Sequence, residues 1–205
     1  MLIRETTKGI LAGLCISLGG SVFLACENRV VGAVFFCVAL LSICMFGFSL
    51  YTGKVGTLID SHKGADFARV YLGLLGNLLG CMLFGALLRL ARPDLGYYAE
   101  HICNGKLEES ILQALLRAFF CGVLMYIAVW IFQNKKSCLG IFLCVPAFIL
   151  SGFEHSIANM FYFAAAGYFN FEALGYTLLF VVGNSIGGWT IPLLSKLTKE
   201  ESAHV

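Results

Sequence analysis

The chain has 205 residues, of which 59% are hydrophobic and 13% are charged, and its mean hydropathy is +0.85. The charged share is about half that of a typical soluble domain, and the apolar runs are too long and too numerous for a soluble core of this size. We therefore expect one integral membrane domain that covers residues 1–205. A net charge of +2 without a basic cluster argues against a nucleic-acid partner.

Apolar stretches between charged residues predict an all-α fold with six transmembrane helices, since long apolar runs satisfy their backbone in a bilayer as helices. In chain order the predicted spans cover about residues 9–26, 30–53, 66–90, 108–133, 138–168 and 171–194. Most Lys and Arg residues fall in the two tails and in the second and fourth connections. The positive-inside rule therefore predicts cytoplasmic N- and C-termini in the inner (plasma) membrane.

The two halves of the sequence, at about 9–90 and 108–194, share two features. GNLLG at 76–80 in the third span corresponds to GNSIGG at 183–188 in the sixth, and both are interpreted as close helix packing through small residues. GFSLYTG at 47–53 interrupts the second span, and GFEHS at 152–156 interrupts the fifth. Because each half has three spans, equivalent helices run in opposite directions, so we expect an inverted 3+3 repeat with broken second and fifth helices.

The polar residues at these interruptions are candidates for a solute site, because a broken helix frees backbone N–H groups that attract anions. His155 is the only one of four histidines in a predicted span. It is either a hydrogen-bonded packing residue or a pore-facing group, and the cost of ionisable residues in a membrane favours the second role. Glu154 is interpreted as a buried acid that accepts backbone N–H groups and holds the break, and Asn159 as part of the same scaffold. Thr52 and Ser156 offer hydroxyl groups at the breaks.

Catalytic and metal-binding patterns are missing from the sequence. It contains no HExxH motif, no P-loop and no Cys-rich metal spacing, and most of its nine cysteines lie inside apolar runs as small core residues. We therefore expect no enzyme activity, no catalytic residue, no cofactor and no metal. One histidine with a threonine and backbone dipoles suits the passage of a small solute.

The stretch GFEHSIANMF at 152–161 resembles the signature of the formate/nitrite transporter family, which consists of pentameric channels for small monovalent anions. Residues 47–52 resemble the broken second helix of that family, and residues 117–130 resemble its fourth helix. The resemblance covers about residues 9–194. It implies a six-helix protomer that is aquaporin-like in outline, a separate pore in each protomer, and a homopentamer in the lipid bilayer.

Matched one residue at a time, the resemblance implies that His155 is the central pore histidine, that Thr52 faces it, and that Lys106 is the lysine of the outer vestibule. The apolar constriction positions of the family fall on Phe36, Leu40, Leu50, Tyr51, Met125 and Phe148.

Three departures from the family pattern lead to further expectations. Gly122 stands where an asparagine is typical, so an orienting hydrogen bond to His155 is expected to be missing or replaced by water. Ser49 stands where an acid is frequent, so Glu154 is expected to be the only acidic partner of the breaks. The tail before the first span has about eight residues, so the cytoplasmic helix that contributes to gating in some members is expected to be missing.

The function that follows is a channel or transporter for small monovalent weak-acid anions, namely formate, nitrite or hydrosulfide, with passive or proton-linked transport. Lys106 and the half-helix ends would attract the anion, and His155 would hydrogen-bond or protonate it between two apolar constrictions. Two alternatives stay open. One is a channel for neutral small solutes with His155 as a hydrogen-bond donor, and the other is a membrane sensor that binds an anion without conducting it.

Overall fold

The computed structural model is all-helical and describes residues 1–61 and 63–202, with side chains described up to residue 198. His62 and His204, which were predicted to lie outside the spans, are outside the described residues. The helices are α1 (Leu2–Ala25), α2 (Arg29–Phe46), α3 (Tyr51–Lys54), α4 (Gly64–Ala91), α5 (Pro93–Leu107), α6 (Ile111–Lys135), α7 (Leu139–Leu150), α8 (Ser156–Ala166) and α9 (Phe171–Ser202). A 3-10 helix, Val55–Ile59, continues from α3.

Within the described part of the chain, five helices are long and apolar enough to cross a membrane, namely α1, α2, α4, α6 and α9. The predicted all-helical membrane fold is confirmed. The fifth predicted span corresponds to the two shorter apolar helices α7 and α8. In the second predicted span, α2 ends at Phe46 and α3 begins at Tyr51.

Two glycines terminate the helices that precede these interruptions. Gly47 follows α2 and Gly152 follows α7, and both have a φ angle of +68°, a left-handed conformation that favours glycine. In each case the next residue donates its N–H to a carbonyl five residues back, at 3.0 Å for Phe48 and 2.9 Å for Phe153. The repeated Gly-Phe sequence therefore produces the same helix end twice.

Helix packing follows the same order in both halves. Helix α1 packs along α4 and against α2, and helix α6 packs along α9 and against α7. The short helix of each half lies against the long third helix of the other half, since α8 packs on α4 and the 3-10 helix packs on α9. Helices α2 and α7 also meet. This arrangement buries the inner ends of the two interruptions, Ser49 and Leu50 in the first and Glu154 and His155 in the second.

Asn77 on α4 fixes the chain at the first interruption. Its side chain is completely buried, and its Oδ1 accepts the N–H of Tyr51, the first residue of α3, at 2.9 Å. Its amide nitrogen donates to the carbonyl oxygens of Gly9 at 2.9 Å and Ser49 at 2.8 Å. Asn77 therefore joins α1, α4 and the start of α3.

Asn184 on α9 makes the corresponding bonds at the second interruption. Its Oδ1 accepts the N–H of Ser156, the first residue of α8, at 2.8 Å. Its amide nitrogen donates to the carbonyl oxygens of Ala118 at 2.7 Å and Glu154 at 2.8 Å. The interpretation of the two GN motifs as packing through small residues was therefore incomplete, because the asparagines satisfy backbone groups that the interruptions leave free.

Helix α5 occupies the predicted third connection, where no helix was expected. Pro93 stands at its start, where a proline ring is already in helical geometry. Leu95, Ala99 and Cys103 are buried at four-residue spacing and form one apolar face. That spacing was the available signal, but the low overall hydropathy of the segment concealed it. The helix packs against α8 and brings Lys106, in its last turn, towards the second interruption.

Gly122 lies at a close contact between α6 and α9. A Cβ atom at this position would lie 2.8 Å from the Cα of Asn184 and closer still to its carbonyl oxygen. The neighbouring atoms belong to the backbone, so they cannot rotate away. The position therefore excludes every larger residue unless the two helices separate.

We expect Gly122→Ala to destabilise the protein by about 1–3 kcal/mol, the usual cost of an added methyl group in a closely packed contact. Gly105→Ala is the matched control, because it makes the same exchange inside α5 with nothing within 4 Å of the new Cβ. The midpoint of SDS-induced unfolding of the purified proteins measures the effect. Equal midpoints for the two variants would contradict the close contact.

Candidate functional site

His155 and Thr52 meet where the two interruptions face each other. The Nε2 atom of His155 lies 2.9 Å from Oγ1 of Thr52, and both side chains are at most 2% exposed. The other ring nitrogen, Nδ1, accepts the backbone N–H of Ala158 at 3.1 Å, so His155 caps the N-terminus of α8. A residue from each half of the chain thus contributes to one contact.

These partners determine which ring nitrogen carries the proton. Because Nδ1 accepts an N–H group, a neutral imidazole must carry its hydrogen on Nε2. That N–H then donates to the oxygen of Thr52. The hydroxyl hydrogen of Thr52 is then not used by His155, so Thr52 is the donor at the end of a short hydrogen-bonded chain.

The orientation of His155 does not depend on an asparagine at position 122. The cap bond to Ala158 and the contact with Thr52 hold both ring nitrogens, and the ring stacks on Phe148 with centroids 5.5 Å apart. Gly122 faces the backbone of Asn184 instead. No bond from position 122 reaches the imidazole, and the bonds that orient it come from its own helix and from the other half of the chain.

Glu154 accepts hydrogen bonds from two side chains. Its Oε2 accepts from Nζ of Lys106 at 2.5 Å and from Nδ2 of Asn159 at 2.7 Å. The ion pair is largely buried, with side chains 14% exposed for Lys106 and 3% for Glu154. Among the described residues the donors to this carboxylate are side chains, so the expectation of backbone N–H donors is wrong. The backbone N–H groups of Ser156 and Ala158 already have partners, and a buried carboxylate requires a cation.

Ser156 contributes its backbone rather than its hydroxyl to this network. Its N–H donates to Asn184. Its Oγ atom is buried and has no hydrogen-bond partner within the described part of the chain.

A cavity of about 280 Å³, here called the Lys106 cavity, opens on one side of the His155–Thr52 contact. Its lining includes Phe36, Lys106, Phe148, His155 and Asn159. The rings of Phe36 and Phe148 are 6.2 Å apart in an edge-to-face arrangement. Two predicted constriction residues, the predicted vestibule lysine and the histidine therefore share one cavity.

A second cavity, of about 240 Å³, is here called the Lys54 cavity. Its lining includes Leu40, Leu50, Gly53, Lys54 and Val129. Leu50 and Gly53, which flank Thr52 in the sequence, line the Lys54 cavity, whereas His155 lines the Lys106 cavity.

Tyr51 and Met125 are buried but line neither of these cavities. The hydroxyl of Tyr51 lies 2.7 Å from Oγ of Ser185 on α9. Val129, one helical turn after Met125, lines the Lys54 cavity instead and was not among the predicted residues. The four-residue spacing on α6 was the signal that could have identified it, since both residues share one helix face.

Ser49 connects a lysine with an acid at the first interruption. Its Oγ accepts from Nζ of Lys54 at 2.8 Å and donates to Oε2 of Glu5 at 3.1 Å. The expectation that Glu154 is the only acid at the breaks is therefore wrong. Glu5 lies far away in sequence, and the packing of α1 against α4 brings it to Ser49.

The described residues form neither a metal-binding cluster nor a disulfide bond. In the ranges 1–61 and 63–198, no group of three His, Cys, Asp or Glu side chains is placed to hold a metal ion. All nine cysteines are free.

The sequence was compared with family models and with known proteins. The model of the formate/nitrite transporter family matches residues 2–197. An uncharacterized transporter of Bacillus subtilis (strain 168), YrhG, is 31% identical over 182 residues, which cover 78% of this chain and 68% of that protein. The formate channel BtFdhC of Bacillus thuringiensis is 28% identical over 208 residues, which cover 88% of this chain and 80% of that protein. The named functions of these relatives are transport and channel functions, not enzymatic ones.

A solved structure shows the same fold. A pentameric formate channel with formate bound superposes with a TM-score of 0.77 over 97% of both chains, at 20% sequence identity. Together with the apolar helices, these similarities make the chain a multi-pass membrane protein. Since the family model matches nearly the whole length, the chain belongs to the formate/nitrite transporter family.

Proposed function

We propose that the chain is a channel or transporter for small monovalent weak-acid anions, namely formate, nitrite or hydrosulfide, and that the anion passes the His155–Thr52 contact. The observation that carries this proposal is the 2.9 Å contact between the two side chains, with His155 lining the Lys106 cavity and the neighbours of Thr52, Leu50 and Gly53, lining the Lys54 cavity. The formate/nitrite family and the formate channel relative support the solute class.

The proposed architecture is one channel domain, residues 1–205, built as an inverted 3+3 repeat. We assign α1, α2 with α3, and α4 to the first half, and α6, α7 with α8, and α9 to the second. The matching helix ends at Gly47 and Gly152 and the matching bonds of Asn77 and Asn184 support this arrangement. The pentameric structural neighbour supports a homopentamer with a pore in each protomer.

The proposed orientation follows from the distribution of charge. The Lys106 cavity would face the outside of the inner (plasma) membrane, and the Lys54 cavity would face the cytoplasm together with both termini. Most Lys and Arg residues lie on the Lys54 side, in agreement with the positive-inside rule.

The loss of hydration is the main energetic barrier to an anion at the constrictions. A small anion that enters an apolar passage loses hydration energy of many kcal/mol, and one lysine with two helix ends replaces only part of it. A weak acid avoids most of this cost when it crosses in its protonated, neutral form. Phe36 and Phe148 on one side and Leu40 and Leu50 on the other would then admit the neutral acid more easily than its anion.

The geometry favours hydrogen bonding at the centre over proton donation by a neutral imidazole. If the ring gave up its Nε2 proton, Nδ1 would still accept from Ala158, so both nitrogens would be without hydrogen. Such an imidazolate is strongly unfavourable in apolar surroundings. We therefore propose that Thr52, polarised by His155, donates a hydrogen bond to the passing solute. Transport is then passive or linked to the proton that the weak acid itself carries.

One observation favours the alternative of a channel for neutral solutes. Lys106 forms a buried ion pair with Glu154, and this pairing compensates much of its positive charge. A non-conducting anion sensor would use the same pair for binding, and it differs from a channel in the absence of flux.

His155→Ala and His155→Gln test the central contact. Loss of one hydrogen bond to a charged or strongly polar group costs about 1.5–3 kcal/mol, so we expect formate flux through proteoliposomes to fall about 10- to 100-fold. Thr52→Ser retains the hydroxyl and should conserve most of the flux. If both His155 variants moved formate at the wild-type rate with the wild-type pH dependence, the role of His155 would be excluded.

Charge variants of the Glu154–Lys106 pair distinguish an anion channel from a channel for neutral solutes. Glu154→Gln leaves an uncompensated lysine beside the cavity and should raise the apparent affinity for formate above that of the wild type. Lys106→Gln leaves an uncompensated carboxylate and should lower the apparent affinity for formate. The double variant should have an affinity between those of the two single variants. A neutral-solute channel would show no such order and no response to membrane potential.

A panel of solutes identifies the substrate. We expect proteoliposomes to conduct formate, nitrite and hydrosulfide but not lactate, which is too large, or chloride, which has no accessible protonated form. Light scattering after rapid mixing measures the flux. Binding of formate without flux of any member of the panel would favour the sensor.

A further inference from the structure

Ser49 and Glu154 occupy corresponding places at the two interruptions. Each stands two residues after the glycine that ends the preceding helix, and the carbonyl of each accepts from a buried asparagine amide. Each side chain also accepts a hydrogen bond from a lysine ammonium group, from Lys54 at 2.8 Å in the first half and from Lys106 at 2.5 Å in the second. The molecule thus places a lysine beside each interruption.

The two lysines differ in how far their charge is compensated. Lys106 contacts a carboxylate directly. Lys54 contacts the neutral hydroxyl of Ser49, and the acid Glu5 lies one hydrogen bond further away. Among the described residues no carboxylate oxygen lies within 4.0 Å of the Lys54 ammonium. Lys54 therefore retains more of its positive field than Lys106 does.

Lys54 also lies where two cavities meet. It lines the Lys54 cavity with Leu40, Leu50 and Val129. It also lines a larger cavity of about 700 Å³, here called the basic cavity, whose charged residues are Arg4, Glu5, Lys8, Lys54, Asp60, Lys63, Asp66 and Arg69. Cations outnumber acids in this lining, so an anion is attracted from the basic cavity towards Lys54.

We propose that Lys54 is an anion-binding residue at the second mouth of the pore, so that the permeating monovalent anion meets a lysine on each side of the His155–Thr52 contact. This inference rests on the proposed function. Glu5 tunes the site through Ser49, and Lys8 and Arg69 add to the positive field around it. Lys54 receives the anion before it reaches the apolar passage between Leu40 and Leu50.

The test uses the full chain in proteoliposomes of one established orientation, with formate presented to either face. We expect Lys54→Gln to raise the half-saturating formate concentration by about 3- to 10-fold on the Lys54 face, the range for one charge acting through a partly hydrated vestibule, and to leave the other face unchanged. Glu5→Gln should lower the half-saturating formate concentration on the same face. Lys54→Arg keeps the positive charge, so its half-saturating concentration should stay near that of the wild type.

Lys63→Gln is the matched control, because Lys63 lines the basic cavity but not the Lys54 cavity. An effect of Lys54→Gln that is equal on both faces, or no larger than that of Lys63→Gln, would overturn the inference. If Lys54→Gln does not assemble, Glu5→Gln still tests the inference. A half-saturating formate concentration that does not fall on the Lys54 face in this variant would contradict it. If the wild-type protein conducts none of the anions, the proposed function itself is contradicted. This measurement on the wild type comes before any variant, so the two failures can be distinguished.

Discussion

A helix that stops inside a hydrocarbon layer leaves backbone N–H and C=O groups without water, and each such group costs several kcal/mol if it stays unpaired. Asn77 and Asn184 meet this requirement at the two interruptions. Each is fully buried and uses its Oδ1 atom and its amide hydrogens on three backbone groups. Without these amides the chain could not leave the helical path beside Thr52 and His155, so the contact between these two side chains depends on them.

The cost of burying charge explains the neighbouring side chains. A buried carboxylate is costly without a partner, and Lys106 and Asn159 supply the hydrogen bonds to Glu154, with α5 as the element that carries Lys106 to it. At the other interruption Ser49 needs no counter-ion, so Lys54 is left with a weaker partner. A serine at this position therefore leaves the charge of Lys54 less compensated than that of Lys106.

The sequence was sufficient for the all-helical membrane fold and for the helix ends at 47 and 152, because hydropathy and Gly-Phe sequences are local signals. It also predicted that His155 faces Thr52, and the structure places these two side chains in contact. It did not reveal the Glu5–Ser49 contact or the partners of Glu154, which depend on helices far apart in sequence. Met125 and Val129 show the same limit, because a gapless count along α6 selects a helix face but not the turn that reaches the cavity.

The two halves correspond position by position around their interruptions, and they differ in the side chains that these positions carry. Gly47 corresponds to Gly152, Ser49 to Glu154, Leu50 to His155 and Tyr51 to Ser156. The backbone bonds are the same in both halves, whereas the histidine has an aliphatic residue as its counterpart. A matched scaffold thus brings one imidazole against one hydroxyl at its centre. Asn77 and Asn184 pair the backbone at the interruptions and Nδ1 of His155 pairs the N–H of Ala158, so Nε2 of His155 and the hydroxyl of Thr52 are the polar groups left to meet each other.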